Sequence, residues 1–207
     1  VAFTACGPTY DVAQPLDNWK SDKGSVGEEL QVTAGETLTA QGDYRNFELK
    51  GQAFLEEGAD ASLLFHSDGK KGYEVILHNG AIDGTRKTGS LATVRNLYRS
   101  LGEDGQWFDF DIAVREKNIS IKINGTDVVC YTEPDQPYRT EANKDKGLGK
   151  GGFALVGKQG NVKLQNLTVT RFHDGVTNPN DTMPVVDETT DEIIRLQQEN
   201  FPVIDYH

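Results

Sequence analysis

Glu74 and His78 interrupt an otherwise apolar run, Gly72-Tyr73-Glu74-Val75-Ile76-Leu77-His78. Side chains of a strand alternate between its faces. Glu74, Ile76 and His78 therefore point one way, and Tyr73, Val75 and Leu77 the other. Upstream, Ala61-Ser62-Leu63-Leu64-Phe65-His66 repeats the pattern, with Ser62, Leu64 and His66 on one face. Asp68-Gly69 between the runs is a hairpin signal. If the strands pair, His66, Glu74 and His78 share a polar face. A carboxylate beside imidazoles suits proton transfer or metal binding. Glu74 is the candidate base, and His66 and His78 are candidate acids or metal ligands. A hydrolysis run by two carboxylates is the alternative, and Asp68 and Glu74 are then the nearest pair. The structural alternative for Glu74 is an ion pair with Arg95 or a lysine on the same sheet. For the two histidines it is an ordinary hydrogen-bonded sheet position.

Short strand signals recur along the chain with turn residues between them, the pattern of an all-β fold. They predict strands near 29–33, 36–40, 46–55, 61–66, 72–78, 90–95, 106–115, 118–124, 127–132, 152–157 and 161–172. Asn124-Gly125 lies between two alternating runs and is the strongest hairpin signal. Trp107, Asp109 and Asp111 alternate with Phe108, Phe110 and Ile112, which gives one apolar and one mostly polar face. Residues 1–28 read as a leading segment in which Trp19 is an anchor, residues 29–173 as one sandwich domain, and 174–207 as a linker and a short docked helix. Thr189 to Glu192 is that helix's capping box. Residues 133–151 form a long loop that could wall one side of a cleft.

The 207 residues carry a net charge of -11, which argues against nucleic acid, whose phosphates need basic patches. Mean hydropathy is -0.55, and no apolar run approaches the roughly 18 to 20 residues of a membrane span. Twenty-two glycines against seven prolines suit many tight turns. The two cysteines, Cys6 and Cys130, can pair or remain free thiols. Val1 to Cys6 ends in small residues before Cys, as a bacterial lipoprotein signal does, with Phe3 where Leu is expected. On that reading Cys6 carries a lipid anchor and the protein lies outside the cytoplasm, in the periplasm or at the cell surface. Phosphate loops, zinc helices and nucleophile elbows have no match in the sequence.

Several segments in order carry a resemblance: Tyr44-Arg-Asn-Phe-Glu-Leu49, Ala61 to His66, Gly72-Tyr-Glu-Val75, Gly105-Gln-Trp107, Ile123-Asn-Gly125, and Gly152-Phe-Ala-Leu-Val156 through Gly160 to Leu167. Over about residues 30–172 the chain resembles the 3-keto-disaccharide hydrolase domain family, which is abundant in Bacteroidetes as secreted or lipid-anchored proteins. The resemblance implies a concanavalin-like jelly-roll sandwich of two antiparallel sheets and a carbohydrate partner. It also implies a reaction: removal of the C2 proton beside a 3-keto group and expulsion of the leaving group, with a divalent metal as a candidate cofactor. The family commonly has Arg where His66 stands and Gln where Ile76 stands. It also has Gln and His in the strand that here carries Gly157 and Gln159. Glu74 is retained.

Three functions follow. The first is glycoside processing, with Glu74 at the site and Asp68, Arg95, Lys158 and Gln159 as substrate contacts, although Lys158 reads first as a solvated side chain. The second is a non-catalytic carbohydrate-binding module using aromatic platforms, for which Tyr98 and Tyr138 in loop-like sequence are the candidates. On this reading Trp107 belongs to the core. The third is an interaction domain of a larger assembly.

Overall fold

The computed structural model describes residues 10–23, 26, 29–80, 86–144 and 146–176. They belong to a compact unit that ends at Val176. The expected C-terminal helix and Cys6 lie outside the described residues. Cys130 is a free, exposed thiol.

Among the described residues, twelve strands form two antiparallel sheets. They are β1 (Gln14–Pro15), β2 (Trp19–Ser21), β3 (Leu30–Val32), β4 (Thr37–Tyr44), β5 (Phe47–Leu55), β6 (Asp60–Ser67), β7 (Tyr73–Leu77), β8 (Trp107–Arg115), β9 (Asn118–Ile123), β10 (Thr126–Thr132), β11 (Gly151–Gln159) and β12 (Val162–Arg171). The larger, seven-stranded sheet runs β1-β12-β5-β8-β9-β10, with β3 also on β12. The smaller sheet runs β2-β4-β11-β6-β7. Residues 14–21, from the leading segment, supply β1 and β2 to the two sheets.

Period-two patterning explains the layering. Phe47, Leu49, Ala53 and Leu55 of β5 point inward, as do Phe108, Phe110, Ile112 and Val114 of β8. They meet Ala61, Leu63 and Phe65 of β6, Tyr73, Val75 and Leu77 of β7, and Phe153 and Leu155 of β11. An aromatic cluster bridges the sheets: Phe47 lies 5.7 Å from Phe65 and 5.0 Å from Phe153, and Phe65 stacks on Tyr73 at 5.4 Å between ring centres. Each such ring contributes about 1.5–3 kcal/mol by leaving water. Asn124 and Gly125 both take positive φ, 49° and 75°, as a two-residue hairpin turn of the mirror-image type requires.

Two expectations are corrected. Residues 90–95 form no strand: Thr93 is left-handed at φ 68°, and Leu91 and Arg95 close a tight turn. This segment instead lies along β7 through irregular backbone bonds. Thr88, Gly89 and Ala92 donate to His78, Ile76 and Glu74, and Ile76 donates to Ser90. Trp107 is no core residue. It is 37% exposed and stands on the outer face opposite Phe54, where the alternation of β8 puts it.

Candidate functional site

Strand register lays Lys20, Thr39, Ala154, Leu64 and Glu74 side by side across the outer face of the smaller sheet. The adjoining row is Thr37, Val156, Ser62 and Ile76. Glu74 is the carboxylate of this face. Its Oε1 accepts from Ser62 Oγ at 2.6 Å and Lys158 Nζ at 2.7 Å, and its Oε2 from Lys146 Nζ at 3.1 Å. Burial by itself would raise the Glu74 pKa, but the bonds from Lys158, Ser62 and Lys146 prevail and hold it at about 2. The ion pair is with two lysines and not with Arg95, which is exposed. Lys158 is thus a partner of the acid and not merely solvated.

Lys146 comes from the long loop, which is fastened next door. Glu133 accepts from the Tyr73 hydroxyl and from the Leu148 backbone N–H at 3.2 Å, and pairs with Arg139 at 3.6 Å. Arg139 Nη2 donates to Tyr73 Oη at 2.8 Å. Tyr73 and Glu74 are sequence neighbours on opposite faces of β7, so one loop holds both sides of the strand.

The shared face of Glu74, His66 and His78 is corrected for His66. Phe153 pairs with Phe65 and Gly152 with Ser67, so His66 is the extra residue of a β-bulge. Its φ of 50° turns the ring off the Ser62–Leu64 face. The ring sits edge-on to Phe47 at 5.6 Å and Phe65 at 5.4 Å. Nδ1 accepts from the Gly149 N–H at 3.1 Å, so Nε2 carries the proton donated to the Arg45 carbonyl at 2.8 Å. Burial pushes the His66 pKa down, and both nitrogens are spoken for. His78 stands four residues from Glu74, about 13 Å along the strand direction. Its Nδ1 donates to the Ala59 carbonyl at 3.0 Å. Neither imidazole reaches Glu74.

A divalent metal does not fit here. Both oxygens of Glu74 face ammonium groups, which repel a cation, and the described residues contain no cluster of three or more His, Cys, Asp or Glu.

Beyond the Glu74 row, a cavity of about 730 Å³ opens among Thr39, Gln41, His66, Asp68, Lys71 and Lys150. Asp68 is the turn-maker of this wall: its Oδ1 accepts from the N–H groups of Lys70 and Lys71, both at 2.9 Å, which lowers its pKa. A second cavity of about 420 Å³ lies against the long loop, among Arg45, His66, Glu116, Glu133, Asp135 and Lys150, so the loop does wall a cleft. Tyr98 and Tyr138 are 76% and 88% exposed, as loop platforms would be, but neither lines these cavities. Gln159 and Arg95 are exposed and also stand apart from them. Sequence reasoning missed Ser62 and Lys146 as partners of Glu74. Ser62 was detectable, since period two puts it on the face of Leu64. Lys146, 72 residues from Glu74, carries no local signal.

Replacing Glu74 with Gln should flatten the acid limb of stability. The folded pKa lies below the ordinary 4.5, so the carboxylate stabilises the fold above that value and ceases to do so as pH falls toward 2. With solvent screening of a partly exposed group allowed for, the difference is on the order of 1 kcal/mol. Urea unfolding of both proteins at neutral and acid pH measures it.

The architecture is an antiparallel two-sheet jelly roll whose smaller sheet presents a charged outer face, with a cavity among Thr39, Gln41 and His66. Such sandwiches include carbohydrate-binding modules and lectins. The chain belongs to the 3-keto-alpha-glucoside-1,2-lyase-like domain family, whose pattern matches residues 12–170. Two solved structures from Parabacteroides distasonis ATCC 8503, each titled a "putative glycosyl hydrolase", share the fold. One has a TM-score of 0.65 at 14% identity, covering 75% of this chain and 88% of that one. The other has 0.61 at 15% identity, covering 77% and 98%. The carbohydrate-binding module CBM66 from Bacillus subtilis matches with a TM-score of 0.53 at 12% identity, covering 74% of this chain and 96% of that one. No curated protein sequence matches the chain.

Proposed function

We propose that this domain binds a glycoside on the outer face of the smaller sheet, at Glu74, and does not cleave it. The carrying observation is the state of Glu74. A carboxylate held at about 2 by two lysines and a serine is a weak base at neutral pH. With three donors already on its two oxygens, it is a fixed acceptor with room for about one sugar hydroxyl. Val156 is the partly exposed apolar residue of this face, while Leu64, Ile76 and Ala154 beside Glu74 are buried. Family membership and the carbohydrate-handling neighbours support the ligand class.

The catalytic reading has one observation in its favour. Lys158 is 40% exposed, so a substrate that displaced it would restore basicity to Glu74. Glu74 could then take the C2 proton of a 3-keto-glycoside while that electron pair forms a C1–C2 double bond, the C1–O bond breaks and the leaving oxygen takes a proton from solvent.

The two readings separate in one experiment. 3-Keto-glucosides are offered to the wild type and to Glu74→Gln, with turnover and binding both measured. The binding reading expects no turnover, and affinity that falls about tenfold in Glu74→Gln. Turnover by the wild type that disappears in the variant overturns it. We further propose that the protein lies outside the cytoplasm, with Cys6, which follows small residues in the sequence, as a lipid-bearing residue. Labelling by a palmitate analogue in cells, lost on Cys6→Ser, checks that part.

A further inference from the structure

The outer face of the larger sheet carries a polar surface that the Glu74 reading does not use. Register arranges it in rows about 7 Å apart, two residues per step. Lys163, Phe54 and Trp107 form the first row, Gln165, Gln52 and Asp109 the second, and Thr168, Lys50, Asp111 and Lys122 the third. Between Gln165 and Thr168, β12 bulges: Asn166 and Leu167 oppose the single Gly51, and Asn166 is left-handed at φ 54°. The bulge brings the Asn166 amide onto the face. A cavity of about 410 Å³ lies there, lined by Lys50, Gln52, Asp109, Asp111, Lys122 and Asn166.

The polar groups are oriented in advance. Gln52 Oε1 accepts from Gln165 Nε2 and Asn166 Nδ2, both at 3.0 Å, so its Nε2 must point at Asp109 Oδ1, 2.9 Å away. Asp111 is half-buried and accepts no hydrogen bond of ordinary length among the described residues. Its cationic neighbour Lys50 stands 3.6 Å away and is drawn to Glu48 at 2.7 Å. Burial and the neighbouring Glu48 raise the Asp111 pKa to about 6. An under-partnered carboxylate at a cavity wall is an acceptor that lacks a donor. At the end of the rows Trp107 lies exposed, its ring centre 5.5 Å from that of Phe54. Phe54 braces the indole as a fixed apolar shelf.

These features select a ligand class. Carboxylates repel a phosphate, and lysines among them repel a free cation. Planar amide and carboxylate groups in rows match hydroxyls, which donate and accept at once. An aromatic shelf matches the apolar face of a sugar ring. We infer that this face is a second saccharide-binding site, for a neutral oligosaccharide laid from Trp107 across Gln52 and Asp109 to Asp111. It stands on the sheet opposite Glu74 and does not depend on the Glu74 face binding anything.

Trp107 is its own reporter, because the other tryptophan, Trp19, is buried. Maltoheptaose, cellohexaose, laminarihexaose and xylohexaose are each titrated while the two indole N–H resonances are followed by NMR. The expected result is that at least one sugar moves the Trp107 resonance in a saturable way and leaves that of Trp19 in place. Affinity should fall at least tenfold in Trp107→Ala, read from the backbone amides of residues 50–52, and in Gln52→Ala combined with Asp109→Ala. It should be unchanged in Glu74→Gln. Thermal melts confirm that each variant folds, and Asp109→Asn is the milder substitute if the double variant does not. No response of Trp107 to any of the four sugars overturns the inference. So does an affinity that Trp107→Ala and the Gln52→Ala/Asp109→Ala variant both leave unchanged, or a response that Glu74→Gln abolishes. The last outcome assigns the sugar to the Glu74 site and leaves that reading standing.

Discussion

A Glu133→Ala protein should be about 2–4 kcal/mol less stable than the wild type. Glu133 and Arg139 are each 13% exposed, and their pair is joined by the Tyr73 hydroxyl and the Leu148 N–H. Burial and the Glu133 carboxylate together push the Tyr73 phenol well above its ordinary pKa, so Tyr73 remains a proton donor that needs an acceptor. Alanine removes that acceptor and takes the counter-charge from the half-buried Arg139 guanidinium, which keeps its hydroxyl and carbonyl partners but no carboxylate. The loss reaches the outer face as well. Arg139 Nε donates to the Lys146 carbonyl at 3.0 Å, so freeing Arg139 loosens the residue that supplies an ammonium to Glu74. Urea unfolding gives the stability change. Faster proteolysis within 134–147 and a higher Glu74 pKa by NMR titration would show that the loop has let go. Glu133→Gln keeps an acceptor for Tyr73 and should lose less. Equal stability of wild type and Glu133→Ala would mean that the network does not hold the loop.

The second large effect is steric. A Cβ at Gly157 would stand 2.0 Å from the Thr33 carbonyl oxygen, and one at Gly152 would stand 2.2 Å from that of Ala40. Both glycines lie on β11, which runs between β4 and β6 in the smaller sheet. Backbone cannot retreat there as the tip of a side chain could. Around Gly157 it is bonded in place, with Gly35 donating to Gly157 and Gly157 to Glu36, both at 2.9 Å. Gly157→Ala and Gly152→Ala should each cost about 3 kcal/mol or more, at the upper end for overpacking. Gly147→Ala and Gly149→Ala meet nothing within 4 Å and should stay within about 0.5 kcal/mol of the wild type. Thermal denaturation of the four proteins decides it, and a mild effect at Gly157 would mean that the turn at Thr33 can move away from β11.

Most strands were legible because their inner faces repeat at period two without a break, as in Ile119, Ile121 and Ile123. The failures are local. Leu91 and Val94 look like strand residues, but the left-handed Thr93 between them makes a turn, and nothing about a threonine announces that. His66 follows its strand's alternation in sequence and leaves it in space, because a bulge is set by the partner strand and not by the residue itself. The same is true of Asn166. Trp107 shows the opposite error: the alternation of β8 had already put it on the polar face, and the general burial of tryptophan argued wrongly against that pattern. Glu74 could be picked out as the acid of a strand face. Its low pKa could not, because that depends on Lys146 and Lys158, which only the folded chain brings to it.

The backbone bonds that Thr88, Gly89, Ser90 and Ala92 make along β7 bear on how this molecule meets others of its kind. β7 closes one side of the smaller sheet, and an outermost strand normally offers a ladder of unused N–H and C=O groups to any extended peptide. Here that ladder is taken, at irregular spacing and by a segment that turns back at Thr93. A second chain cannot continue the sheet past Tyr73–Leu77 without first stripping the segment away. The strand that carries Glu74 is thereby shielded from fibril-like growth and from exchange with a neighbouring copy.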